Sequence, residues 1–348
     1  MLHTKREILR HVGDAGQLFG IKQYTLTGGR ANGVRALDVK NGTGLDFTVL
    51  PDRCLDIAGL SFKGTNCGYA SNTGIVAPEY YEKEADGFLR NFFSGFLTTC
   101  GLRNVGPPCR DRDEWFSQHG RIANIAAEEV CTSTEWIDNV PVMTIRGKMR
   151  EACFFGEYLL LSRKISCRYG ENRIVIRNTV ENAGFRKEAL MLLFHFNIGY
   201  PLLDENAYLV IPAGETAPRD PEAETATCRS CQKPTPAYRE QVFYHRLNAD
   251  EEGHTGVAFI NRELGMAVAL RFNTNQFFNF TQWKQMGEGA YVMGLEPCNC
   301  YVGGRTDPRN AGLLDCLEPG ETRNFDITVD LLQGDDEIDL LEQQIRAL

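Results

Sequence analysis

From Tyr24 onward the chain runs in short stretches of β-branched and aromatic residues, each closed by Gly, Asn, Asp or Pro. Such runs occur at 34–39, 46–50, 142–146, 158–167, 173–180 and 189–196, and again at 208–211, 256–260, 266–272, 291–295 and 324–331. This is the texture of strands separated by turns. Within 173–180, Ile174 and Ile176 alternate with Arg173 and Arg177, the period-two signature of a half-buried strand. Helical patterning is confined to 4–12, a stretch near 78–84, and 337–348. Many strands with almost no helices between them exclude a doubly wound sheet and predict an all-β fold, a large sandwich of antiparallel sheets with short helices at the two ends. There is no internal repeat and no low-complexity linker, so one domain over 1–348 is expected. The stretch 213–236, rich in Pro, Glu, Thr and Arg, reads as a long surface loop bordering a site.

Charge narrows the function. With 37 basic and 46 acidic side chains the formal net charge is −9, which argues against a nucleic-acid partner. No segment has the roughly 18 uncharged apolar residues of a membrane helix. The first ten residues carry charges where a signal peptide needs its apolar core, so a cytoplasmic protein is expected. Twelve cysteines are scattered without an export signal and read as reduced thiols. The pairs Cys228/Cys231 and Cys298/Cys300 differ in spacing and lie far apart, unlike paired zinc knuckles.

Candidate chemistry gathers at three places. His119 precedes Gly120 at the entry to a strand, where a residue without Cβ lets the backbone approach closely. His195 ends the apolar run Leu-Leu-Phe-His at 192–195 and leads into Asn197, Gly199 and Tyr200, so a rigid element aims it. Glu296 ends another apolar run, with Pro297 expected to stop the strand, and burial there would raise its pKa toward that of a general base. Taken singly, each has a plainer reading: a turn histidine, a satisfied core histidine, a rim carboxylate. Walker, dinucleotide and Gly-x-Ser-x-Gly motifs are missing. The two histidines and the glutamate come from three separate segments, a poor spacing for a metal.

The order of these motifs resembles the aldose 1-epimerase (galactose mutarotase-like) superfamily, in particular an uncharacterised bacterial subgroup of it. The resemblance is carried by Leu-Pro-Asp-Arg-Cys-Leu-Asp-Ile at 50–57, by Thr-Cys-Gly-Leu-Arg-Asn-Val-Gly at 99–106 leading to His119-Gly-Arg121, by Asn-Thr-Val-Glu-Asn at 178–182 followed by His195-Phe-Asn197, and by Leu295-Glu296-Pro297. It implies a large β-sandwich with a sugar in a concave groove, and an isomerase of carbohydrate metabolism that interconverts anomers by opening and reclosing the ring. It further implies His195 as general acid, Glu296 as general base and His119 as a substrate-binding residue. Arg53 matches the early sugar-binding arginine, and Arg121 and Asn197 lie inside the same motifs. The family's downstream sugar-gripping aspartate has no clear match, and Glu240 or Gln241 is expected in its place. Trp283 is a candidate for stacking on a sugar face, with a core or rim aromatic as the other reading. No cofactor is implied, since the chemistry has no redox or covalent step, and the implied partner is a small sugar.

Arginines crowd these segments: Arg53, Arg103, Arg110, Arg112, Arg121 and Arg305. They point to an anionic sugar such as a uronate, sulfosugar or sugar phosphate, unless they pair with the neighbouring Asp52, Asp56, Asp111, Asp113, Glu114 and Asp307.

Overall fold

The computed structural model describes residues 4–84, 87–221, 223 and 225–348. Alternation of side chains decides its two large sheets. In the strand Val140–Ala152 the inward positions Met143, Ile145 and Met149 are buried while Arg146, Lys148 and Arg150 face water. Tyr158–Arg168 and Arg173–Asn182 repeat the pattern. With Glu128–Ile137, Thr322–Gln333, Met266–Asn273, His254–Asn261 and Tyr208–Val210 they form an eight-stranded antiparallel sheet. A second sheet of six antiparallel strands runs Ala213–Pro218, Gln241–Leu247, Asn279–Gly287, Ala290–Cys298, Leu193–Ile198, Leu97–Cys100. The two share one core, with Ile145, Leu161, Ile176 and Ile327 of the first and Phe194, Phe196, Phe280 and Leu295 of the second. A third, five-stranded sheet is built from residues 20–66.

The strands Met266–Asn273 and His254–Asn261 are buried on both faces, because the helix Asp335–Arg346 lays Ile338, Leu341 and Ile345 over Ala258, Ile260, Ala267 and Ala269. This is the expected C-terminal helix. The N-terminal one, Lys5–His11, is closed by a capping box between Thr4 and Glu7. No helix among the described residues is long and apolar enough to cross a membrane.

Three local expectations need correction. Near 78–84 there is only the 3-10 turn Pro78–Tyr80, followed by the five-residue helix Gly87–Asn91; segments this short do not meet the cost of starting a longer helix. The stretch 213–236 opens with a real edge strand, Ala213–Pro218, whose partner Gln241–Leu247 lies beyond the stretch itself. Its residues 222 and 224, like His3, lie outside the described residues. Pro297 does not stop its strand, which continues to Cys298. Pairing with Leu193–Ile198 holds at Leu193–Cys298 and resumes at Phe196–Leu295. The interruption falls where proline has no N–H to give.

Candidate functional site

That interruption is where the chemistry lies. The register on either side of it sets His195 opposite Glu296, so both side chains leave the same face of the six-stranded sheet as direct cross-strand neighbours. Thr281 pairs with Glu296, and Thr98 with His195, completing a row across the sheet. One step along, Gly294 sits between Trp283 and Asn197. A Cβ on Gly294 would come within 2.5 Å of Glu296 Oε1, 3.0 Å of Trp283 Cβ and 3.1 Å of His195 Cε1. The glycine therefore keeps open the floor on which the pair stands.

Above this floor is a pocket of about 420 Å³. The helix Gly87–Asn91 and the residue after it supply Phe88, Leu89 and Phe92; the loops at 106–108 and 118–119 supply Pro107, Pro108, Gln118 and His119. Arg219, Glu240, Val242 and Val302 complete the rim and walls. A larger hollow of about 740 Å³ lies over the open face of the five-stranded sheet, lined by Lys22, Asp38, Lys40, Asp46 and Thr48. It is a solvated sheet face without a buried unpartnered acid or base, and carries no comparable chemistry.

His195 and Glu296 are both buried, with Nε2 and Oε1 3.0 Å apart. No hydrogen bond joins them, and Oε1 of Glu296 and Nδ1 of His195 have no hydrogen-bond partner among the described residues. Burial pushes the imidazole down to about 3, helped by the neighbouring His119. Burial, reinforced by the charge of Glu240, lifts the Glu296 carboxyl well above its ordinary value. Both groups are driven toward their uncharged forms. The rings of Phe92 and Trp283 flank the imidazole at 5.4 and 5.3 Å between centroids.

His119 takes a left-handed backbone, φ 52°. Its Nδ1 accepts a 3.4 Å hydrogen bond from the Gly106 N–H, which leaves the ring proton on Nε2. A Cβ at the adjoining Gly120 would strike the Gly101 carbonyl oxygen at 2.1 Å. The glycine of the His-Gly pair thus serves a close approach of backbone to backbone. Burial lowers the His119 pKa to about 4. Glu240 stands just before the strand Gln241–Leu247 and is held from two sides. Its Oε1 accepts from Arg219 Nη2 at 2.9 Å and its Oε2 from Trp283 Nε1 at 2.7 Å.

The structure thus brings together five residues singled out in the sequence: His119, His195, Glu240, Trp283 and Glu296. It separates three others. Arg53 is buried outside the pocket, and Nε, Nη1 and Nη2 donate to the carbonyls of Ala123, Val76 and Asn91 at 2.7, 2.5 and 3.0 Å. These bonds tie three loops together, and the buried guanidinium is out of a sugar's reach. Asn197 is fully buried and binds the carbonyls of Ser94 and His195. Arg121 is exposed and does not line the pocket. The anionic-sugar reading loses its support with them. Arg103 is ion-paired with Glu114, Glu157 and Glu188, and Arg305 with Asp111. Sequence reasoning missed Phe88, Phe92 and Arg219. Arg219 donates its backbone N–H to the Val242 carbonyl, a tie that no local motif announces. All twelve cysteines are without disulfides, and no cluster among the described residues is arranged to hold a metal.

In structure the chain is similar to a provisionally assigned aldose 1-epimerase from Klebsiella pneumoniae, with 26% identity, a TM-score of 0.90, and 96% of this chain and 90% of that one covered. A galactose mutarotase-like protein from Clostridium acetobutylicum shares the fold at 12% identity and a TM-score of 0.60, over 91% of this chain and 99% of that one. So does a galactose 1-epimerase from Lactobacillus acidophilus, at 14% and 0.59, over 91% of this chain and all of that one. No curated protein matches the chain in sequence. Residues 31–331 match the family described as "Domain of unknown function (DUF4432)". With that match spanning most of its length, the chain belongs to the DUF4432 family, an uncharacterised group with the galactose mutarotase-like fold.

Proposed function

We propose that the protein is an aldose 1-epimerase, an enzyme that interconverts the anomers of an aldose in the pocket between His119, Trp283 and the His195–Glu296 pair. The observation that carries this reading is the pair itself, two buried, cross-strand acid/base groups 3.0 Å apart at the floor of a sugar-sized pocket. Its likeness in structure to the Klebsiella protein supports the same reading.

Ring opening removes a proton from O1 and adds one to the ring oxygen, both attached to the anomeric carbon. A neutral imidazole and a protonated carboxyl side by side offer one acceptor and one donor to those two oxygens. Opening from this state takes the O1 proton onto His195 and gives the Glu296 proton to the ring oxygen, leaving imidazolium beside carboxylate. Rotation about the bond to C1 exposes the other face of the aldehyde. Closure then runs the two transfers backward and restores the starting pair. The family assignment, His195 as acid and Glu296 as base, describes the second of these two states; burial favours the first before substrate binds. Each transfer contributes roughly 10²–10⁴-fold. Glu240, fixed by Arg219 and Trp283, has lone pairs left to accept from sugar hydroxyls. The His119 Nε2 proton supplies a donor.

NMR exchange spectroscopy on a panel of aldoses tests this. Anomer exchange is expected above the spontaneous rate. Glu296→Gln and His195→Asn are each expected to lower kcat by about 10²-fold or more in a folded protein. Sugar binding with exchange at the spontaneous rate would make the protein a carbohydrate-binding one and sink the enzymatic reading.

A further inference from the structure

The strand that carries His195 also carries a buried amide with one unused end. Asn197 lies two residues beyond His195 on Leu193–Ile198, so both side chains leave the same face of the sheet. It is fully buried and does not line the pocket. Its Nδ2 donates to the Ser94 carbonyl at 3.2 Å and to the His195 carbonyl at 2.9 Å. Carbonyl oxygens only accept, so these two bonds fix which end of the amide is the nitrogen. Oδ1 is the end left over, and it has no hydrogen-bond partner among the described residues.

Nδ1 of His195 is unpartnered as well. A buried amide oxygen and a buried ring nitrogen, both left unpaired, carry a desolvation cost that a bond between them would offset. The Asn197 side chain already acts on the ring. Burial and His119 lower the imidazole pKa, whereas Asn197 raises it by favouring the protonated form. The contact falls short of a formed hydrogen bond, as catalytic contacts often do until charge develops. Two hydroxyls are rival acceptors. Thr98, opposite His195 on the next strand, already donates to the Ser94 carbonyl at 2.7 Å, and the Ser94 hydroxyl is itself buried and unpaired.

Ring opening supplies the use for this contact. Nε2 of His195 lies 3.0 Å from Glu296 Oε1. To take the O1 proton, that nitrogen must carry the lone pair beforehand, so the ring proton must sit on Nδ1. Once O1–H breaks and Nε2–H forms, the ring is a cation in a buried place, and its Nδ1 proton needs an acceptor from the protein. Resting on the epimerase reading above, we infer that Asn197 is a positioning residue of the reaction. Its Oδ1 accepts the Nδ1 proton of His195, which holds the lone pair on Nε2 before opening and stabilises the imidazolium formed during it.

The test is ¹⁵N NMR of the full chain labelled in histidine, with His195→Asn identifying the His195 signals. In the wild type near neutrality, Nδ1 is expected to carry the proton and Nε2 the lone pair; the opposite tautomer overturns the inference by itself. Asn197→Leu removes the acceptor at similar size and is expected to shift His195 toward the Nε2–H tautomer. It is also expected to lower kcat for anomer exchange at least about 10-fold, the scale of a lost bond to a charged group, with KM changed less than about 3-fold. Asn197→Asp keeps an oxygen toward the ring and is expected to retain the Nδ1 proton and to exceed the Leu variant in kcat by at least about 3-fold. Equal losses in the two variants, or an unshifted tautomer in folded Asn197→Leu, overturn the inference. Thr98→Val and Ser94→Ala are expected to leave the tautomer in place, and a shift in either gives the role to that hydroxyl and overturns the assignment to Asn197. If Asn197→Leu does not fold, the wild-type tautomer and the two hydroxyl variants still decide. If every aldose exchanges at the spontaneous rate in the wild type, the epimerase reading fails, and the tautomer alone supports or overturns the Asn197 contact.

Discussion

At the scale of single residues, burial sets the working protonation state. An exposed imidazole titrates near 6.5, but His195 is held down at about 3 and Glu296 is held well above the carboxylate range. Proton acceptance by His195 requires it neutral, a condition met above about pH 3. Proton donation by Glu296 requires it protonated, a condition met below its raised pKa. Activity is therefore expected to fall toward pH 3 as His195 takes up a proton, and to fall again on the alkaline side of the raised Glu296 pKa as that carboxyl ionises. A pH profile of kcat/KM checks this, and an acid limb rising through about 6.5, where a free imidazole titrates, would contradict it. The same two residues were readable in the sequence as ionisable side chains in apolar runs, although both lie within their strands, Leu193–Ile198 and Ala290–Cys298, and not at strand ends as expected. Arg53 was misread for a physical reason. A motif displays an arginine but not its burial, and here the guanidinium is buried and donates to three backbone carbonyls outside the pocket.

At the scale of elements, the edge strand Ala213–Pro218 matters because it delivers the next residue, Arg219, to the pocket rim. Arg219 is anchored by its backbone to Val242 and by its side chain to Glu240. We expect Arg219→Leu to free Glu240 on one side and so to weaken sugar binding. KM is expected to rise about 10-fold and kcat to change less than about 3-fold, since the His195–Glu296 pair is not touched. Steady-state kinetics on the best aldose separates the two, with Arg219→Lys recovering part of the loss. The strand was hidden because its composition is that of a loop; what makes it a strand is pairing with Gln241–Leu247, information held elsewhere in the chain. The long central strands were readable because one face is core and the other water, so the pattern is written locally. Glu128–Ile137 escaped notice for the opposite reason. At the sheet edge most of its side chains are exposed and the alternation is faint.

At the scale of the molecule, one buried group joins all three large sheets. Arg163, on the eight-stranded sheet, donates to Asn178 at 2.7 Å, to Asp56 of the five-stranded sheet at 2.7 Å, and to Thr99 of the six-stranded sheet at 2.8 Å. Asp56 in turn accepts from the Thr99 hydroxyl at 2.6 Å and from its backbone N–H at 2.8 Å. Removing one partner of such a pair strands the other charge in the core. Arg163→Met is expected to cost about 3–5 kcal/mol in urea unfolding, and adding Asp56→Leu to recover part of it. Thr99 pairs with Phe194, the residue before His195, so the clip also fixes the strand beside the pocket floor. The Thr99 amide hydrogen is thus locked where three sheets converge, with no local route to solvent. Deuterium is expected to reach it only when the whole molecule opens, and a bound sugar to slow that uptake by no more than it stabilises the folded chain.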